Sequence, residues 1–245
     1  MSEKMRGLIL KEVNTGEADK IITVLTEKNG KISVLAKNIR RVKGRFGAGA
    51  SFLCYSDFEV EPSRNELYYL RRATPVENFF SLSEQIEKLA LAAYLGQLTS
   101  AIVPECFPTE GRTLALLLNT FYVLANTNRD IRLVKSVFEL RLMAEEGYAP
   151  ETAVCAACGS LEFPLSFSVI NGAVFCPSCA KEDGILINET LYKALSYILN
   201  ADLKKIYAFS VGEENLKVLS RLAEDYCMYH TGREIPALNY LKSLI

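Results

Sequence analysis

From residue 4 to about residue 73, apolar and polar positions alternate in short runs rich in Ile, Val, Phe and Tyr, which is the period of half-buried strands. Five strands are predicted: Met5 to Leu10, Lys20 to Thr26, Lys31 to Ala36, Phe52 to Glu61 and Leu67 to Arg71. Asn29-Gly30 predicts a two-residue hairpin turn between the second and third, and Ser63 to Glu66 has the chemistry of a turn joining the fourth and fifth. A small barrel follows. Five strands closing on themselves can bury a core at this size, so an OB-fold is the first choice, although an SH3-like barrel has a similar strand count.

From Ser81 the period becomes helical. Ser81 and Glu84 have the form of a capping box, after which Ile86, Leu89, Ala90, Ala93 and Tyr94 recur on one face to about Val103. Pro104 and Pro108 end that helix, Glu110 to about Asn126 predicts a second, and Arg129 to Glu146 a third with Gly147 as its cap. Helical patterning resumes at Glu189 to Leu199 and at Glu213 to Tyr229, with Gly232 as another cap signal. The expected fold class is α+β: a five-stranded OB-fold barrel over residues 1–80, then an α-helical domain over residues 81–245 interrupted by an insert at about 150–186.

The insert carries the most specific signal in the chain. Cys155 and Cys158 form one C-x-x-C pair and Cys176 and Cys179 a second, a spacing at which four thiolates close a tetrahedron around one structural zinc ion per chain. Gly159 supplies the positive-φ turn after the first pair, and Pro177 stiffens the second. Asn171-Gly172, between the apolar runs Phe167 to Ile170 and Ala173 to Phe175, predicts a hairpin that brings the pairs together. Two redox motifs, two disulfides or four unrelated buried thiols are the competing readings. A redox pair belongs at a helix start in a βαβ pattern, which is absent here, and disulfides are rare in a chain that is not exported. Four cysteines leave no open position for water, so this metal would be structural rather than catalytic. Cys54, Cys106 and Cys227 lie in apolar surroundings and read as buried free thiols.

Composition excludes little. No apolar run approaches the ~18 residues of a membrane span, and charged Glu3, Lys4 and Arg6 leave no signal-peptide core, so a cytoplasmic location is expected. Charge is unevenly spread. Of 28 Lys+Arg and 29 Asp+Glu, residues 1–80 hold 14 and 10, leaving 14 and 19 for the rest. The basic excess concentrates after the third strand, where Lys37, Arg40, Arg41, Lys43 and Arg45 follow one another with no acid between them, ahead of Gly47 and Gly49. Such a run is either a solvated loop or a seat for a polyanion, and its place on a small barrel favours nucleic acid, bound through phosphates and by stacking on Phe46, Tyr68 or Tyr69, with core packing expected for at least one of the two adjacent tyrosines. Catalytic machinery is not evident. The one histidine, His230, ends a predicted amphipathic helix, the segment Gly44 to Gly49 lacks the Gly-Lys-Ser/Thr ending of a P-loop, and paired acids such as Glu145-Glu146 read as a solvated face.

In this order of motifs the chain resembles the bacterial RecO family of recombination mediators over nearly its whole length. The resemblance rests on Ala36-Lys37 through Arg45-Phe46, on Phe138-Glu139-Leu140-Arg141-Leu142 leading into Glu146-Gly147-Tyr148, and on Cys155, Cys158, Phe167-Ser168, Cys176 and Cys179. It ends with Tyr229-His230 and Gly232. It implies an N-terminal OB-fold, a helical domain and a zinc-binding insert, without enzymatic turnover. It also implies binding of single- and double-stranded DNA, annealing of strands coated by single-strand-binding protein (SSB), docking of the SSB C-terminal tail, and action with RecR to load RecA at the nucleoid. By position, Lys37, Arg40, Arg41, Lys43 and Arg45 become DNA-contact candidates. An RNA-binding or ribosome-associated zinc protein would share the basic barrel and the knuckle, and a nuclease hidden in a binding fold is the enzymatic alternative.

Overall fold

The structure, a computed structural model, describes residues 2–41, 46–63, 67–107 and 110–245. Of the sequence expectations, Lys43, Arg45, most of the Ser63 to Glu66 turn and Pro108 lie outside the described residues. The chain divides into two compact units, Met1–Asn126 with Ile235–Leu244, and Thr127–Glu234.

In the first unit, β1 (Glu3–Thr15), β2 (Asp19–Thr26), β3 (Lys31–Ala36), β4 (Cys54–Pro62) and β5 (Leu67–Asn78) form a closed barrel in the order β1-β2-β3-β5-β4. Every pairing is antiparallel except β3 with β5, where Ser33, Val34 and Leu35 lie beside Leu67, Tyr68 and Tyr69. This order and closure are those of an OB-like barrel. Ile9, Ile22, Val24, Ile32, Val34, Phe58, Val60 and Leu70 fill the interior, joined by Phe46 and Ala50 from the β3–β4 connection.

β1 is longer than its apolar run suggested. A register shift between Ile9 and Lys11 bends it, so one strand pairs with both β2 and β4, as barrel closure requires. Its polar second half is stabilised by partners outside the strand: the Glu12 carboxylate accepts from Lys20 Nζ on β2 and from the Phe52 amide.

The β2–β3 turn departs from expectation. Leu25 pairs with Lys31 and both Thr26 N–H and Thr26 Oγ1 donate to the Gly30 carbonyl, so four residues, not two, form the connection. Gly30 adopts φ 60°, and a Cβ there would lie 2.6 Å from the Phe107 carbonyl oxygen. Replacing Gly30 with Ala therefore combines left-handed strain with a backbone clash and is expected to cost about 2 kcal/mol or more. Chemical denaturation of the two proteins measures it, and equal midpoints would contradict the argument.

Among the described residues this unit also holds α1 (Ile86–Ile102), α2 (Arg112–Asn126) and α6 (Pro236–Lys242), the last beyond the elements predicted from the sequence. α1 packs against β1 so closely that a Cβ on Gly96 would come 3.1 Å from the Leu10 carbonyl. The capping box at Ser81 is not formed. Ser81 lies in a 3-10 turn over Phe80–Glu84, and α1 begins after Gln85 with no side-chain cap. Burial of Phe79 and Leu82 draws the chain inward there and delays the helix by a turn.

The second unit holds α3 (Ile131–Glu145), α4 (Glu189–Asn200) and α5 (Glu213–Thr231), with a three-stranded sheet between α3 and α4 in the order β7-β6-β8: β6 (Leu165–Ser168), β7 (Ala173–Phe175) and β8 (Gly184–Ile187). The caps are local. The Asp130 carboxylate accepts from Arg132 N–H, the Asn188 side chain accepts from Leu191 N–H, and Gly232 closes α5 at φ 58°. The Phe-Glu-Leu-Arg stretch proves structural. Phe138 is buried, Glu139 forms part of a buried ion cluster, and Arg141 Nη1 donates to the Ile198 and Leu199 carbonyls, satisfying the C-terminal end of α4. No helix among the described residues is long and apolar enough to cross a membrane.

Candidate metal centre and nucleic-acid interface

The four cysteines meet. Their sulfurs all lie within 4.8 Å of one another, with Cys158 Sγ 3.6 Å from Cys176 Sγ. Four thiolates at Zn–S bonds of about 2.3 Å stand about 3.8 Å apart at the corners of a tetrahedron, so the donor set and its spacing fit zinc. Cys155 and Cys176 are buried, Cys158 is exposed and Cys179 half-buried.

Short-range geometry forms each knuckle. Gly159 N–H donates to the Cys155 carbonyl at 2.8 Å with Gly159 at φ 76°, and Cys155 N–H donates to the Ser160 carbonyl at 2.9 Å. Pro177 opens the 3-10 turn Pro177–Cys179, closed by Cys179 N–H on the Cys176 carbonyl. The hairpin then docks the pairs. Ala156 N–H donates to Val174 on β7, while Glu151 exchanges hydrogen bonds with Gly172 and Val174, so the strand carrying the second pair lies against the chain carrying the first. Burial opposes charge on Asp183, yet the Ser168 hydroxyl and the Ile170 N–H hold its carboxyl below the usual range, and the hairpin end is thereby fixed to the residue before β8.

Electrostatics around the sulfurs is uneven. Backbone N–H groups, that of Cys176 foremost, hold the Cys155 thiol down to about 6, whereas Cys179, donating into the neighbouring sulfurs, is pushed up to about 12. Four thiolates this close repel one another. A divalent cation at their centre removes that repulsion and makes every sulfur a ligand. Of the other cysteines, Cys54 and Cys227 are buried as expected, but Cys106 is exposed, because the chain leaves α1 in a left-handed turn (φ 51°) that places its backbone on β3 through the Lys31 carbonyl.

The described part of the basic stretch is an ordered turn over residues 37–41 on the barrel rim. It is seated on the β1–β2 turn. Asn38 N–H donates to Asp19 Oδ1 at 2.7 Å, Arg40 N–H to the Ala18 carbonyl at 3.0 Å, and Arg40 Nη1 to the Glu17 carbonyl at 3.3 Å, while Arg41 pairs with the Glu17 carboxylate. Asn38 adopts φ 57°, which an Asn tolerates, and Ile39 packs on the barrel core between the charged neighbours. Arg40 and Arg41 thus project from a supported backbone.

The aromatic candidates separate. Phe46 is 4 % exposed within the barrel core, so it is not available for stacking; a ring following a charged run fills the barrel where the β3–β4 connection crosses its end. Tyr68 packs partly against the same core. Tyr69 is half-buried, with Lys37 Nζ 4.8 Å from its ring centre. That pairing, and the support that Glu17 and Asp19 give the cationic turn, could not be read from sequence, since the β3–β5 register and the β1–β2 turn create them.

Comparison with known proteins places this architecture. Residues 1–79 match the family model described as Recombination protein O N terminal, and residues 83–239 the one described as Recombination protein O C terminal. The chain belongs to the RecO family. Among its relatives, the DNA repair protein RecO of Acetivibrio thermocellus is 34% identical over 244 residues, covering 98% of this chain and 96% of that one. RecO of Alkaliphilus metalliredigens is 31% identical over 233 residues, 94% of each chain, and that of Dehalococcoides mccartyi 30% identical over 245 residues, 98% and 95%. The two RecO family models together span the barrel and the segment that carries the sulfur cluster.

Proposed function

We propose that this protein is a recombination mediator of DNA repair which grips single- and double-stranded DNA on the barrel, anneals complementary strands, and works with RecR to load RecA on SSB-coated DNA in the cytoplasm, at the nucleoid. The observation that carries this reading is the cationic turn of Lys37, Arg40 and Arg41, supported on an OB-like barrel beside Tyr69, in a chain of the RecO family. Lys43 and Arg45 follow directly in sequence and extend the same run of charge. In this reading residues 1–80 are the DNA-binding part. Residues 81–245, more acidic, serve stability and partner docking, including the SSB tail, and the insert at 150–186 holds one structural zinc through Cys155, Cys158, Cys176 and Cys179. The protein acts by holding strands, not by catalysing a reaction.

Phosphate contacts carry no base information, so binding is sequence-independent and falls with salt, by about 0.7 to 0.9 in the slope of log K against log[salt] for each phosphate engaged. Replacing Arg40 and Arg41 together with Ala is expected to flatten that slope by about one to two units and to slow annealing, because two polyanionic strands approach only when their charge is neutralised. A salt titration with DNA and RNA oligonucleotides, with circular dichroism as the control for folding, decides the matter. An unchanged slope in a folded variant would remove this turn from the interface, and a marked preference for RNA would favour an RNA-binding role.

A further inference from the structure

The contact that supports the cationic turn also competes with its proposed ligand. Of the acids near the turn, Asp19 spends its carboxylate on a backbone amide, that of Asn38, whereas Glu17 spends its carboxylate on the Arg41 guanidinium itself. The two side chains remain open to solvent: Arg41 is 62% and Glu17 86% exposed, so an incoming phosphate can reach the same guanidinium. A carboxylate and a phosphate offer a guanidinium the same paired oxygens.

We propose that Glu17 is an intramolecular stand-in for a backbone phosphate, occupying Arg41 in the free protein and yielding it to DNA. The inference rests on the nucleic-acid reading of this turn and adds to it a residue that weakens binding. Exchange has a physical basis. An exposed ion pair is held only loosely against water, so a strand bringing several phosphates at once displaces it readily. Displacement leaves the Glu17 carboxylate beside the bound polyanion, and that repulsion lowers affinity for any short contact. Weak, reversible contact suits a protein that must release strands once they have paired. The bonds that Asn38 N–H, Arg40 N–H and Arg40 Nη1 donate to the β1–β2 turn do not involve the Glu17 carboxylate, so the turn keeps its place when that side chain swings away.

The test uses the full chain and a fluorescent oligo-dT strand, comparing wild type with Glu17→Gln, Asp19→Asn, Arg41→Ala and the double variant Glu17→Gln/Arg41→Ala. Glu17→Gln is expected to bind about two- to five-fold tighter at low salt, with a slope of log K on log[salt] steeper by up to about one. Asp19→Asn removes the same charge from the same turn, but its amide oxygen can still accept from Asn38, so it should show less than half that gain. In the Arg41→Ala background Glu17→Gln should gain little. Equal tightening by Asp19→Asn, or the full gain from Glu17→Gln without Arg41, would mean a general charge effect and overturn the proposal. Unaltered or weaker binding by Glu17→Gln while Arg41→Ala weakens it would overturn the role of Glu17 and leave the interface standing. No effect of Arg41→Ala on wild-type binding would overturn both.

Discussion

Exchanging Cys176 for Ser is expected to cost the protein its bound metal and the fold of residues 150–186 while sparing the barrel. The secondary structure that holds this segment is short: β7 has three residues, β6 and β8 four each, and the two knuckles are turns. Sheets this small are marginal without another source of stability. Metal ligation would supply it. Zinc binding contributes on the order of 10 kcal/mol to folding sites of this kind, so loss of one of four sulfurs removes a substantial part of what would hold the segment. Cys176 is the informative choice because it is buried and its sulfur lies 3.6 Å from that of Cys158 across the two pairs, so a Ser there leaves a poor ligand within the cluster. Metal analysis of protein purified without chelator should find one zinc per wild-type chain and far less in the variant. Limited proteolysis should cut the variant between 150 and 186. No metal in the wild type, or full content in the variant, would refute the assignment.

Replacing Lys135 with Met is expected to destabilise the second unit by about 3–5 kcal/mol, the usual cost of removing one member of a buried ion cluster. Lys135 Nζ lies 2.9 Å from a carboxylate oxygen of Glu139 and 2.9 Å from one of Glu224, with the lysine 1% and Glu139 0% exposed. Without the ammonium, two carboxylates face each other across α3 and α5 in surroundings that already push the Cys227 thiol well up by burial. Burial alone would pull the Lys135 pKa down, but Glu139 and Glu224 outweigh it and leave it above the ordinary 10.5. A folded pKa raised above the unfolded one means stabilisation fully present below pH 10.5 and lost as pH rises through the folded value. Thermal unfolding at neutral pH measures the loss. Replacing Lys135, Glu139 and Glu224 together by apolar residues should restore most of it, since no charge is then left unpaired. A single variant as stable as wild type would show that the cluster is dispensable.

These two sites differ in how they could be known beforehand. The candidate metal centre is local: four cysteines at fixed spacing, a glycine able to take φ 76° and a proline specify it within 25 residues, Cys155 to Cys179, and folding had only to bring two turns together. The ion cluster is not. Lys135 and Glu139 read as an ordinary exposed i,i+4 pair until α5 is laid over them, and a charged pattern contains no sign of which helix face is covered.

The same division holds through the barrel. Period-two alternation located all five strands, and β3 was delimited to the residue, because a half-buried strand must place every second side chain inside. Alternation is silent about pairing partners. The polar half of β1, the far half of β5 and the helix α6 were missed, since their stability comes from residues far along the chain, such as the Phe52 amide on Glu12 or Gln97 on the Ala237 amide. Charge sequence located the cationic turn. Tertiary structure alone decided that Phe46 turns inward, that Lys37 lies over Tyr69, and that Glu17 meets Arg41. Composition and spacing determine which chemistry the chain carries, because they act through neighbouring residues. Which of those groups face solvent, and which face one another, depends on strand register and turn placement, and only the folded chain specifies those.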